Sequence, residues 1–191
     1  MLPDSAAIML QPEQYINMTK RWLEHSVIEY NFCPFAKKEY VNNSIHYEVI
    51  DESNREEQLL SLSEEFKRLD NNPALSTSLL LYPKGLESFF DYLDFVELAN
   101  ELLYELGYEG IYQIASFHPD YCFADTKQSD PENYTNRSPV PIVHLLREDM
   151  LEKALDLYPN SEQIPERNIL KAQELGSDFF EKLLQRFCKA E

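Results

Sequence analysis

Residues 76–82 read Ser-Thr-Ser-Leu-Leu-Leu-Tyr, and the unbroken Leu79-Leu80-Leu81 run is the strongest constraint on the fold. Successive strand residues point to opposite faces. A run that is apolar on both faces needs cover on both, so it predicts an inner strand with helices packed on either side of its sheet. Residues 111–117 and 141–146 are of the same buried type. Residues 44–50 alternate more weakly, with Ile45, Tyr47 and Val49 on one side.

Between these runs the apolar period lengthens to that of a helix. After Pro12, Ile16, Leu23, Val27 and Tyr30 share one face, with Trp22 beside them. Asn31-Phe32-Cys33-Pro34 predicts the end of that helix, because a residue before proline is pushed out of the α region. Ser53-Asn54-Arg55-Glu56 predicts a capping box ahead of Leu59, Leu62, Phe66 and Leu69, and Asn71-Asn72-Pro73 predicts the stop. A third helix is predicted to bury Leu86, Phe89, Leu93, Val96, Leu103 and Leu106, with Gly107 as its C-cap. From Asp149 the chain is helical again, divided at Gly176. The predicted class is α/β: a mixed, mainly parallel sheet of about four strands with helices packed on it. The crossover rule makes the first three strands parallel neighbours. The 191 residues suit one domain, with 1–12 as a flexible N-terminal segment.

Charge narrows the partners. Lys and Arg number 17 against 34 Asp and Glu, a net charge of −17. Such a surface repels phosphate backbones and anionic lipid, so neither nucleic acid nor membrane is an expected partner. Asp91, Asp94, Glu97, Glu101 and Glu105 of the third helix read as a solvated face. Three cysteines without framework spacing suit a reducing compartment. With no basic, apolar leader and no apolar run of about 18 residues, the expected location is cytoplasmic.

The polar residues that invite chemistry concentrate in 116–147. His118 follows a buried strand, at the end where open α/β sheets bind ligands. It reads either as a general acid or base or as a ring that pins its loop. The long loop 124–138 places Asn133, Asn136 and Arg137 together; an Arg fork suits a carboxylate or phosphate. His144 and Arg147 lie on or just past the fourth strand. This segment is nearly neutral within a very acidic chain, so the expected ligand is a small anionic metabolite. His118 would act as acid or base, Arg137 and Arg147 would hold the anion, and Asn133, Asn136 and His144 would orient it. A non-catalytic binding or regulatory module is the alternative, and a metal site of His118, Asp120 and His144 is a third. No cofactor or oligomeric state is implied. Cys33 is a further candidate nucleophile. A helix starting at Pro34 would stabilise its thiolate, whereas a helix ending there would leave it inert, as flanking Phe32 and Phe35 suggest.

Asn31-Phe32-Cys33-Pro34-Phe35-Ala36, Ala115-Ser116-Phe117-His118-Pro119 and Glu132-Asn133-Tyr134-Thr135-Asn136-Arg137-Ser138-Pro139 resemble the bacterial family catalogued as domain of unknown function 1415. His144-Leu145-Leu146-Arg147 and Glu166-Arg167-Asn168 resemble further blocks of it, which adds Glu166, Arg167 and Asn168 to the expected substrate-binding set. The resemblance implies a bacterial cytosolic protein and assigns no catalytic residue.

Overall fold

The structure, a computed structural model, describes residues 10–188. The expected flexible segment 1–12 thus falls mostly outside the described residues. Helix α1 (Pro12–Trp22) runs into a π-helical segment (Leu23–Ile28), and a turn leads to the short α2 (Ala36–Val41). Then come β1 (Ile45–Val49), α3 (Arg55–Asn71), β2 (Thr77–Leu81), α4 (Phe89–Glu105) and β3 (Tyr112–Phe117). After a long loop with a 3₁₀ turn (Pro131–Thr135) follow β4 (Ile142–Arg147), α5 (Glu148–Leu157), a second 3₁₀ turn (Ser161–Gln163), α6 (Ile164–Leu175) and α7 (Ser177–Phe187).

The sheet order is β1-β2-β4-β3. Only β1 and β2 pair in parallel; β4 pairs antiparallel with both β2 and β3. This corrects the mainly parallel sheet and the three parallel neighbours predicted from the sequence. The first three strands do run the same way, but β4 returns directly from β3 and takes the slot beside β2. The crossover rule constrains the hand of a βαβ unit; it does not say whether a later strand fills the gap.

Each face of the sheet has its own core, as the leucine run demands. On the first face, Leu80, Tyr82, Tyr112, Val143 and Leu145 meet Leu62, Phe66 and Leu69 of α3 and Tyr92, Phe95 and Ala99 of α4. On the second face, Leu79, Leu81, Ile142, Phe117 and the odd residues of β1 meet Trp22, Leu23 and Val27, with Ala172, Phe180, Leu183 and Phe187 from α6 and α7. Removing a ring such as fully buried Phe66 would cost about 3–5 kcal/mol.

Helix ends differ from expectation in detail. The oxygen of Asn54, not Ser53, caps α3, accepting from Glu56 N–H at 2.9 Å and Glu57 N–H at 3.3 Å. Helix α4 buries Tyr92, Phe95, Ala99 and Leu103, while Leu93 and Leu106 are exposed. The predicted stripe was offset because Tyr92 and Ala99 carry less apolar signal than the leucines beside them. Gly107 does close α4: at φ 77° it donates to Tyr104 O, and Tyr108 N–H donates to Leu103 O. That is a Schellman pair, and its left-handed residue favours glycine. A break at Tyr158-Pro159-Asn160 separates α5 from α6, which the sequence reading ran together.

The π-helical segment shapes the cover of the second face. Its hydrogen bonds close five residues back, Glu29 N–H to Glu24 O at 3.1 Å and Phe32 N–H to Val27 O at 2.9 Å. Trp22, Leu23 and Val27, at the entry to and within this widened turn, all pack against the second face.

Candidate functional site

The loop after β3 spends its polar groups on itself. His118 is fully buried. Its Nδ1 accepts from Asp120 N–H at 3.0 Å, so Nε2 carries the proton and donates to Leu86 O at 3.0 Å. Burial lowers the pKa of this ring, against the opposing pull of the Leu86 carbonyl. Asn133 is equally sealed: Oδ1 accepts from Phe123 N–H (3.0 Å) and Thr126 Oγ1 (2.7 Å), and Nδ2 donates to Lys127 O (2.7 Å). Asn136 Nδ2 donates to Ser116 O at 3.2 Å. Arg137 donates to Tyr121 O and Gln128 O and lies 4.3 Å over the Tyr134 ring. The loop is a polar plug held by backbone carbonyls, its own and those of Leu86 and Ser116.

Arg147 is committed elsewhere. Its guanidinium donates to Leu69 O, to Leu75 O at 3.1 Å, to Asn72 O at 3.5 Å and to the Tyr112 hydroxyl at 3.1 Å. It thus caps the carbonyl end of α3, where a cation meets the negative pole of the helix.

His118 and His144 lie on opposite faces of the sheet, the first against Phe89 and Tyr92, the second beside Thr77. The expected ligand set His118, Asp120 and His144 is therefore not assembled. Among the described residues the group that brings three such ligand atoms together is His46, Glu48 and Glu65. Arg68 already bridges its two carboxylates, from Nε to Glu65 at 2.8 Å and from Nη2 to Glu48 at 3.4 Å. Ser78 Oγ donates to Glu65 at 2.5 Å. This is a closed ion-pair network behind the first face.

What the fold does leave open is a cavity of about 410 Å³ on the second face. Leu79 of β2, Ala115 and Phe117 of β3, and Leu146 of β4 form its floor; Trp22, Leu23 and Val27 form one wall. The turn Phe32-Cys33-Pro34-Phe35 and α2 supply another, and Met150, Leu151, Ala154 and Leu155 of α5 close over it with Ile164. Helix α5 has an apolar stripe yet buries none of its residues, because that stripe looks onto the cavity.

Three sequence-predicted candidates, Cys33, His144 and Arg147, line this cavity with Thr77. His144 Nε2 lies 2.6 Å from Thr77 Oγ1, which lies 2.5 Å from Leu145 O. Burial pushes the pKa of His144 down to about 4. Burial raises that of the Cys33 thiol, although the Phe35 and Ala36 N–H groups near the sulfur pull it down. Pro34 and Phe35 form a turn ahead of α2, whose N-cap is Phe35, so Cys33 does not hold the N-cap expected of a helix starting at Pro34. The charged residues on the wall are Glu39 and Arg147. The Glu39 carboxylate accepts from Ser44 Oγ at 2.6 Å.

The Glu166 block braces the cavity without lining it. Asn168 Nδ2 donates to Phe32 O at 2.7 Å, tying α6 to the Cys33 turn. Arg167 Nη1 donates to the Tyr158 hydroxyl at 2.9 Å, and the Tyr158 ring meets Phe35 edge-on. Glu166 is exposed. Sequence reasoning missed Thr77 and the α5 stripe. The signals were there: hydroxyl residues opening a leucine strand, and apolar residues at 150, 151, 154 and 155, at helical spacing.

No described helix is long and apolar enough to cross a membrane. Comparison with curated proteins and with solved structures finds no match. A family model, in contrast, matches residues 14–182, a span that holds the Cys33 turn, all four strands and the whole cavity wall. The chain belongs to the family described as "Protein of unknown function (DUF1415)".

Proposed function

We propose that this protein binds a small, largely apolar molecule in the cavity between the second face of its sheet and helices α2, α5 and α6. One observation carries this reading: a 410 Å³ apolar hollow roofed by a helix whose apolar stripe is otherwise unburied. That volume is within the range of ligand sites. A ligand seated there gains dispersion contacts with the apolar walls. The walls favour an uncharged ligand over the anionic metabolite expected from the sequence. Arg147 has its guanidinium on backbone carbonyls, and Glu39 would repel an anion. Titration with toluene, followed by methyl NMR shifts of α5 and β4, tests the reading. Saturable shifts that vanish in Ala154→Phe, which fills the cavity, are expected. No shift up to the solubility of toluene would rule the reading out.

A catalytic version rests on Cys33. Its sulfur and the His144 imidazole open onto one cavity, so a bound electrophile would meet a thiol. The raised thiol pKa makes Cys33 a slow nucleophile in the free protein. The binding reading therefore stands first.

A further inference from the structure

One side-chain nitrogen on the cavity wall is held as a bare acceptor by its neighbours. Thr77 Oγ1 has one proton and two close neighbours, His144 Nε2 at 2.6 Å and Leu145 O at 2.5 Å. A carbonyl only accepts, so the hydroxyl proton goes to Leu145. Nε2 must then donate to the hydroxyl oxygen. A neutral imidazole has one N–H, which leaves Nδ1 as a bare acceptor.

Among the described residues Nδ1 has no hydrogen-bond partner. It is not among the buried orphan atoms either, and its ring is a wall of the cavity, so Nδ1 opens onto the hollow. Of the other polar side chains on the wall, the Ser76 and Ser161 hydroxyls can donate as well as accept, while the charged groups and the thiol are engaged. The Arg147 guanidinium lies on α3 carbonyls, Glu39 accepts from Ser44, and the Cys33 sulfur faces the Phe35 and Ala36 amides.

Resting on the cavity reading, we propose that the ligand presents one uncharged hydrogen-bond donor, an alcohol, phenol or amide N–H, to Nδ1 of His144, with its apolar body against α5 and the sheet. A carboxylate would set its oxygens against the Nδ1 lone pair, with no free cation on the wall. The Thr77 relay is what fixes this polarity, because it denies the ring its other tautomer. Protonating the ring instead would place a cation among apolar walls, and burial opposes that down to about pH 4.

Three matched probes test the proposal: 4-propylphenol, 4-propylanisole and 4-propylbenzoate. The anisole is the more hydrophobic of the first two, so hydrophobicity alone ranks it ahead of the phenol. The proposal ranks the phenol ahead by about tenfold or more, since only the phenol satisfies the buried acceptor. The benzoate should be weakest. In His144→Leu the phenol preference should disappear while anisole binding persists. On wild-type protein, ¹⁵N NMR should show the Nδ1 resonance moving upfield with the phenol and not with the anisole; this readout stands even if the variant does not fold. Equal binding of phenol and anisole, an Nδ1 resonance blind to the phenol, or tightest binding by the benzoate would each overturn the donor rule while leaving the cavity a binding site. Failure of all three probes would sink the cavity reading, and the donor rule with it.

Discussion

Thr77 on β2 and His144 on β4 are joined across the sheet by a 2.6 Å hydrogen bond between Oγ1 and Nε2, and the Thr77 hydroxyl passes the relay on to the Leu145 carbonyl. Replacing Thr77 by Val keeps the shape and deletes the bridge. It leaves Nε2–H without its partner, so a stability loss of about 1–3 kcal/mol is expected. Urea unfolding of Thr77→Val measures it. An unchanged midpoint would show that the bridge contributes nothing.

The same ring should make stability depend on pH. His144 has a pKa of about 4 in the folded protein against an ordinary value of 6.5. Protons therefore bind the unfolded chain first. The stability is intact above pH 6.5 and is lost progressively as pH falls toward 4. Other acid-sensitive groups, His118 among them, are common to wild type and His144→Leu and cancel in the difference. Wild type should lose ground relative to the variant on acidification from about pH 7 to about pH 4.5. Parallel pH profiles would show a histidine titrating as it does in water.

His118 should behave as a structural pin. His118→Phe removes the bonds to Leu86 and Asp120 and leaves the buried Leu86 carbonyl unpaired, a cost of roughly 1–3 kcal/mol. Toluene binding by the folded fraction should be unchanged, since His118 lies behind the opposite face of the sheet. A stable variant that loses binding would reverse this assignment.

Arg137 should resist conservative replacement. Its fork reaches two carbonyls while its plane covers Tyr134, a geometry that an ammonium cannot copy. Arg137→Lys should lose about 2–3 kcal/mol, read by thermal unfolding. Amide exchange across 121–136 should accelerate in the same variant. Full stability in the lysine variant would mean that charge alone holds the loop.

Cys33 gives a chemical readout of the cavity. In a background of Cys122→Ser and Cys188→Ser, its alkylation by iodoacetamide should be slow at neutral pH and should still be rising above pH 9, because its pKa is raised above 9.0. Bound 4-propylphenol should slow it further. A rate plateau near neutral pH would indicate an activated thiolate and favour the catalytic version.

The candidate site was partly legible. Cys33 stood out for its turn and His144 as a polar residue on an apolar strand, and both open onto the cavity. His118, Asn133, Asn136 and Arg137 stood out for their loop. A polar loop looks the same in sequence whether its groups face a ligand or one another. Here Tyr134 stacks on Phe180 of α7 and anchors the loop, so the side chains around it turn inward to carbonyls.

By itself the sequence determined where the strands lie and that helices cover both faces of their sheet. Those properties follow from local periodicity and from the double-sided apolar run at Leu79-Leu80-Leu81. The tertiary structure decided the strand order, because β4 takes the place beside β2 through pairings more than 60 residues apart in sequence. It also decided which polar groups are spent. Arg147 finds the carbonyl end of α3, His118 finds Leu86, and His144 is left with one nitrogen open, since hydrogen-bond satisfaction depends on partners that only folding brings near.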